Sequence, residues 1–396
     1  MTVKRFVYAD NAATTPVSRE VTEAMAPCFE TVWGNPSSLH QKGREAKVVL
    51  DDARLRIANV FHCTPKEIFF TSCGSESDNW AIKGAAHRMK KKGRDEIVTT
   101  AIEHHAVLHT CEALEREGFK VTYVGVDADG VVKMDELRAA VTEKTAIVAV
   151  MYANNEIGTI EPIREICDIA HAKGALMFTD AVQAVGNLEI DLSKLPVDML
   201  SLSGHKIHAP KGIGMLFIRK GVVIDNLIDG GGQERGKRGG TENLPYIVGL
   251  AKALEVAEEK MADNERVARL RDRLIDGLTK IPHSRLHGHR TQRLPGNVNV
   301  GFECVEGESM LLWLDLAGIC VSTGSACSSD SLEPSHVLIA IGIPHEKAHG
   351  SLRISISHET TDEDVDYILE TIPPIVEKLR NMSPLWEDLQ KKEQNA

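Results

Sequence analysis

No stretch of this sequence stays apolar for long. The longest continuous run, Ala146 to Ala153, falls far short of the roughly 18 residues that suggest a membrane-spanning helix. The opening MTVKRFVYAD lacks the apolar centre of an export signal and turns acidic almost at once, so a cytoplasmic protein with no membrane contact is expected. Basic charge is in deficit. Lys and Arg number 46 against 57 Asp and Glu, a net charge of −11, and a chain of that sign repels nucleic-acid phosphates, so no nucleic-acid partner is expected. The one basic patch, Lys90 to Arg94, reads as a solvated helix end. Cysteine is sparse: eight residues at 28, 63, 73, 111, 167, 304, 320 and 327, with no C-x-x-C pair. That excludes a disulfide framework and a structural zinc site. Internal repeats and low-complexity tracts are lacking. Neither G-x-x-x-x-G-K-[ST] nor G-x-G-x-x-G stands at a strand–helix junction, which disfavours a nucleotide.

What is present is an alternation of short β-rich runs with helical ones, beginning near Glu67. EIFFTS, EIVTTA, KVTYVGVD, AIVAVMYAN, ALMFTDA and DMLSLS read as strands, with amphipathic or charged helical segments between most of them. This rhythm defines an α/β protein with a mostly parallel sheet covered by helices on both faces. Ligands of such sheets bind beyond the carboxyl ends of the strands. A long charged helix is expected from about Ile247 to Lys280. After it the rhythm loosens into GNVNVGF, GICVSTG and SLRISIS, read as strands of a smaller α+β domain. The expected division is a large domain over 15–260 and a small one formed by 1–14 and 261–396.

The strand ends carry the chemistry. In FTSCGSESDNW a strand turns through glycine into a helix, where the N–H groups of Gly74 and Ser75 and the Ser75 hydroxyl suit a phosphate. An ordinary helix cap at Ser75 or Ser77 is the equal alternative. AIEHHAVLHTC places His104 just past a strand, where an imidazole can stack on an aromatic ligand; His105 and His109, four apart, read as surface helix residues or a weak metal pair. MFTDAVQA ends a strand on Asp180, with Gln183 three residues on. A carboxylate there needs a partner, such as a protonated ring nitrogen, unless it caps the next helix. At the end of DMLSLS stand Ser203, Gly204, His205 and Lys206, and a lysine near apolar and cationic groups can form a Schiff base. A phosphate cradle, an acid for a ring nitrogen and an amine for an aldehyde converge on one side of one sheet, and pyridoxal phosphate has all three groups. Farther on, VSTGSACSSDSLEP holds Cys327 among small polar residues, as a presented thiol rather than a core cysteine. Arg353, on an otherwise apolar strand, needs an anion: a substrate carboxylate, or a structural Asp or Glu.

YADNAATTP, GNPSSLH, TSCGSESDN, EHHAVL, NNEIGT, DAVQAVG, SLSGHKIHAPKGIG, QERGKRGGTEN, STGSACSSDSLEPSHV and SLRIS follow one another along nearly the whole chain. In this the sequence closely resembles the NifS/IscS-type cysteine desulfurases, pyridoxal-phosphate enzymes of fold type I in the class V aminotransferase family, and TSCG, HAPKG and QERGKRGGTEN resemble the NifS branch more. The resemblance implies a seven-stranded-type sheet in the large domain and conversion of L-cysteine to L-alanine. Lys206 becomes the Schiff-base lysine and mover of protons, Asp180 the holder of the pyridinium nitrogen, and His104 the ring-stacking acid/base. It assigns Gly74, Ser75, Ser203 and His205 to the phosphate, and Gln183 and Asn155 to the cofactor, with Asn155 also near the substrate. It places Thr241 on the phosphate of a neighbouring subunit, hence a homodimer, and gives Arg353 the substrate carboxylate. Cys327 is implied as the nucleophile that becomes a persulfide, passes sulfur to an acceptor such as an iron–sulfur scaffold, and as a transient shared cluster ligand at most.

Three rivals stand beside this reading. A class V aminotransferase would share Lys206 and Asp180 but have no use for Cys327. A selenocysteine lyase could use the same residues on selenium. A non-enzymatic metal or sulfur carrier would draw on the histidines, above all His283, His287 and His289 in HSRLHGH, a segment expected to be an exposed loop. The tail SPLWEDLQKKEQNA, with Trp386 and Leu389, either docks a scaffold protein or covers its own domain.

Overall fold

A computed structural model describes residues 5–323 and 334–394. Cys327, with the rest of 324–333, lies outside the described residues. In chain order the strands are β1 (Val7–Tyr8), β2 (Ile68–Thr71), β3 (Glu96–Thr100), β4 (Lys120–Val124), β5 (Thr145–Ala149), β6 (Leu176–Asp180), β7 (Met199–Ser203), β8 (Gly214–Ile218), β9 (Ser284–Leu286), β10 (Asn297–Phe302), β11 (Ile319–Cys320) and β12 (Ser351–Ser355). Seven of them form one sheet in the order β2-β8-β7-β6-β5-β3-β4. Neighbours from β7 across to β4 run parallel; β8 alone is antiparallel to both its neighbours.

The alternation of side chains along each strand divides the large sheet's contacts into two cores. Ile68, Phe70, Val148, Met177, Leu200, Leu202, Met215 and Phe217 face one core, closed by helices Gln41–Val60, Ile163–Ala172 and Leu244–Lys260. Phe69, Ile147, Ala149, Phe178, Met199, Leu216 and Ile218 face the other, closed by helices Gly74–Lys90 and His105–Arg116. Being covered twice explains why β5, β7 and β8 are buried at every residue and read as near-continuous apolar runs. The edge strand β4 exposes Lys120 and Tyr123, as an edge tolerates.

A further core gathers Val7 and Ala9 with Val267, Leu274, Val298, Val300, Phe302, Leu314, Leu352, Ile354 and Ile368. Around it lie the antiparallel sheet β12-β10-β9 and the parallel pair β1-β11. The helix expected over 247–280 is two helices, Leu244–Lys260 and Asn264–Leu278, joined by a 3₁₀ turn at Met261–Asp263. The break comes where the chain leaves the first core at Leu254 and enters the next at Val267, so one straight helix could not bury both faces. HSRLHGH is corrected as well. Ser284–Leu286 is a strand, and His287 is buried with Nδ1 2.8 Å from Asn299 Oδ1.

Candidate active site

The carboxyl ends of the large sheet open into a cavity of about 300 Å³ lined by Gly74, Ser75, His104, Asn155, Asp180, Gln183, Ser203, His205, Lys206 and Arg353. Ten residues expected at the site from sequence, spread over nearly 280 positions, therefore meet in one place.

At the end of β2, helix Gly74–Lys90 begins without a side-chain cap, since its N-cap is Cys73 in extended backbone. Its first N–H groups therefore point into the cavity end uncompensated, which suits an anion. A Cβ at Gly74 would stand 2.8 Å from Val182 Cγ2, so a larger residue there requires that side chain to shift. Glu76 in the same turn is turned away: it accepts from Ser72 N–H at 2.8 Å and pairs with Arg238 at 2.9 Å.

Asp180 closes β6. Its Oδ1 accepts from Val182 N–H at 2.9 Å, so it caps a turn and lines the cavity at once. Burial raises its carboxyl to about 6, against the pull of the Val182 N–H and Lys206. Behind it Asp78, equally buried, is raised well above the usual carboxylate range by burial and by the charge of Asp180, and accepts from Ser201 Oγ at 2.5 Å. Two acids buried together cannot both ionise cheaply. Burial disfavours charge on Asp78 more strongly, which leaves Asp180, in the cavity lining, to meet a cation or N–H donor.

Lys206 follows β7 in a 3₁₀ turn, and Nζ donates to Ala12 O at 2.6 Å and Ala13 O at 2.7 Å in the N-terminal arm. Gln183 Nε2 reaches the same Ala12 carbonyl at 3.1 Å. His104 caps helix His105–Arg116, its Nδ1 accepting from Ala106 N–H at 3.1 Å, so in the neutral ring the proton sits on Nε2. Burial, then Lys206, lowers His104 to about 4, and the same two causes lower His205 to about 4. Both rings are neutral at physiological pH. His205 Nδ1 lies 3.1 Å from Thr14 Oγ1. Arg353, on β12, reaches the cavity from the other core and pairs with Asp10 at 3.0 Å.

Thr241 is not in the cavity. It is exposed, in a separate depression with Phe70, Ser72 and Arg238. His105, expected on the surface, lines the cavity and faces His336 at 4.8 Å between ring centroids, whereas His109 is exposed. No group of three or more His, Cys, Asp or Glu among the described residues is placed to hold a metal. Sequence reading passed over Asp10, Asp78, Glu103, Glu156 and His336. Glu103 is buried beside the cavity, accepts from Thr100 Oγ1 at 2.6 Å and Met151 N–H at 2.9 Å, and is raised to about 8 by burial. A run of three ionisable residues, Glu103-His104-His105, directly after an apolar strand was the available signal for it. Trp386 packs 5.2 Å from the His283 ring and under Arg380, while Leu385 beside it is exposed.

An uncapped helix N-terminus, a lysine, a buried acid and a flat neutral imidazole around one cavity fit pyridoxal phosphate group for group. The fold and site define a fold-type-I α/β protein of the kind built on that cofactor. The model of the aminotransferase class-V family matches residues 7–368, and the chain belongs to this pyridoxal-phosphate-dependent family. Among its relatives is a protein named cysteine desulfurase IscS from Methanosarcina thermophila, 56% identical over 97% of this chain and 95% of that one. A solved structure titled NifS-like protein superposes with a TM-score of 0.89 at 43% identity, covering 94% of this chain and 100% of that one. Another, titled SspA in complex with cysteine, gives 0.78 at 36% identity over 89% of this chain and 99% of that one. No helix among the described residues is long and apolar enough to cross a membrane.

Proposed function

We propose that this protein is a cysteine desulfurase that takes sulfur from L-cysteine, releases L-alanine and leaves a persulfide on Cys327. The observation that carries the reading is the meeting of Lys206, Asp180, the uncapped turn at Gly74 and Arg353 around one cavity. Bound pyridoxal phosphate supplies an electron sink for the pair released at the substrate Cα. Lys206 attaches the cofactor and moves protons at Cα. Asp180 accepts the ring N–H, His104 covers the ring face, and Gln183 and Asn155 hydrogen-bond the cofactor. The N–H groups at Gly74 and Ser75, with Ser203 and His205, hold the phosphate. Arg353 takes the substrate carboxylate. The Cys327 thiolate attacks the substrate sulfur: an S–S bond forms and the C–S bond breaks with its electron pair going to Cβ; a proton added at Cβ and the proton returned at Cα by Lys206 then complete alanine.

The persulfide passes to an acceptor such as an iron–sulfur cluster scaffold. Residues 15–260 act as the cofactor-binding domain, and 1–14 with 261–396 as the small domain that carries Cys327. The active unit is a homodimer in which Thr241 reaches the partner's phosphate. In support, Thr241 is exposed, and its neighbour Glu242 lines a depression with Ser37 and Lys47. The test is alanine formation from L-cysteine with no keto acid present, run beside L-selenocysteine. Alanine with sulfide is expected; transfer that requires a keto acid would make the protein an aminotransferase, and reaction with selenocysteine alone a selenocysteine lyase.

A further inference from the structure

Arg353 is 2% exposed and its donor fork is only partly used. Nη2 donates to Asp10 Oδ1 at 3.0 Å and Nη1 to Asn155 O at 3.3 Å. The buried Nε–H has no hydrogen-bond partner among the described residues. Asp10 bridges through its backbone to Ser355, two residues along β12 from the arginine, so acid and guanidinium ride on one piece of framework. The other carboxyl near Arg353 is committed elsewhere: Glu156 accepts from Ser335 Oγ, and burial raises it to about 7.

The pairing explains how a buried cation is tolerated before any ligand arrives, because an isolated charge at that depth is strongly unfavourable. It also has a consequence for ligands. A carboxylate that takes the unused donors must share the guanidinium with an anion already in place.

Resting on the assignment of the substrate carboxylate to Arg353, we propose that Asp10 is the resident counter-ion of that site. Its charge weakens the hold on every carboxylate ligand and selects amino acids that carry no second carboxylate. The product keeps the same carboxylate as the substrate, so a weakened hold also hastens release of alanine. A side-chain carboxylate would bring a third negative charge to one guanidinium.

Asp10→Asn keeps the shape and a carbonyl acceptor for Nη2 while removing the charge. Titration of the holoenzyme with L-alanine, followed by the visible absorption of the bound cofactor, should show binding tighter by about tenfold or more, the order of one charge-assisted hydrogen bond. KM for L-cysteine should fall with it while kcat holds or drops, and L-aspartate should gain more affinity than L-alanine. Unchanged or weaker alanine binding would overturn the proposal. Asp10→Ala leaves a hole of carboxylate size, and formate should raise its melting temperature but not that of the wild type. A variant that formate cannot recover in solubility or melting temperature counts against the proposal equally. Wild-type alanine production from L-cysteine is measured alongside. Its absence would sink the assignment of the site itself, whereas active wild type with unaltered variants would sink only the role of Asp10.

Discussion

Two buried arginines sit in different regions of the molecule and are partnered very differently. Arg54, under the large sheet, forms a complete two-pronged pair with Glu234 at 2.6 and 2.8 Å, donates also to Ile68 O at 2.7 Å, and lies over the Phe70 ring. Glu234 in turn accepts from Phe70 N–H at 3.0 Å. Arg353, at the junction of the two cores, makes one firm bond to its acid and one long bond, and leaves Nε–H over. The first arrangement is closed and holds backbone in place: Glu234 and Arg235 both sit in the left-handed region, at φ 45° and 60°, a conformation that persists only where surroundings enforce it. The second leaves a buried donor unused in a residue that lines the cavity. A saturated buried ion pair marks a structural joint, and an unsaturated one marks a place where a ligand completes the set.

The difference can be broken at either end. Arg54→Met leaves Glu234 buried and unpaired, and should cost about 3–5 kcal/mol of stability in denaturant unfolding. Replacing both partners, Arg54→Met with Glu234→Leu, should recover most of that loss, because an apolar pair of similar volume is often neutral. If the double variant is no more stable than the single one, the pair is not the closed structural unit described. Arg353→Lys should act the other way, with little change in melting temperature and a roughly hundredfold loss in kcat/KM, mostly in KM, since a lysine cannot offer a planar fork. A loss confined to kcat would break the contrast, because the residue would then serve the chemical step rather than the carboxylate.

A smaller effect follows from the buried imidazoles. His104, His205 and His287 are each lowered to about 4, first by burial, while in the unfolded chain they titrate near about 6.5. The unfolded state then binds more protons between those values, so their contribution to stability is fully present above about 6.5 and is lost as pH falls toward about 4. His287 lies away from the cavity, so His287→Asn should flatten the fall in denaturation midpoint over that window while leaving kcat unchanged. An unaltered slope would show that His287 binds protons in the fold as it does in the unfolded chain.

Much of this was legible from sequence because the chemistry-bearing residues stand at junctions. Asp180 and Ser203 end apolar strands and Gly74 and Lys206 stand three residues past strand ends, and the strand-and-helix rhythm alone places such residues on one edge of the sheet. Other parts left no local trace. Asp10 lies 343 residues from the arginine it pairs with, and no periodicity relates them. β8 enters the sheet antiparallel between β2 and β7, an insertion that its apolar run Gly-Met-Leu-Phe-Ile does not announce. His287 is polar and flanked by turn-like residues, yet it is buried by the pairing of β9 with β10, a contact that the composition of HSRLHGH does not encode. Thr241 is exposed, and nothing local in its sequence says what it meets.

Sulfur is proposed to move from L-cysteine to one thiol of this chain. Mass spectrometry of peptides from the holoenzyme after a single turnover with L-cysteine tests it directly. One additional sulfur atom is expected on the peptide holding Cys327 and none on the peptide holding Cys73, a thiol that lines the cavity. Additional sulfur on Cys73, or alanine formed with no sulfur on either cysteine, would contradict it.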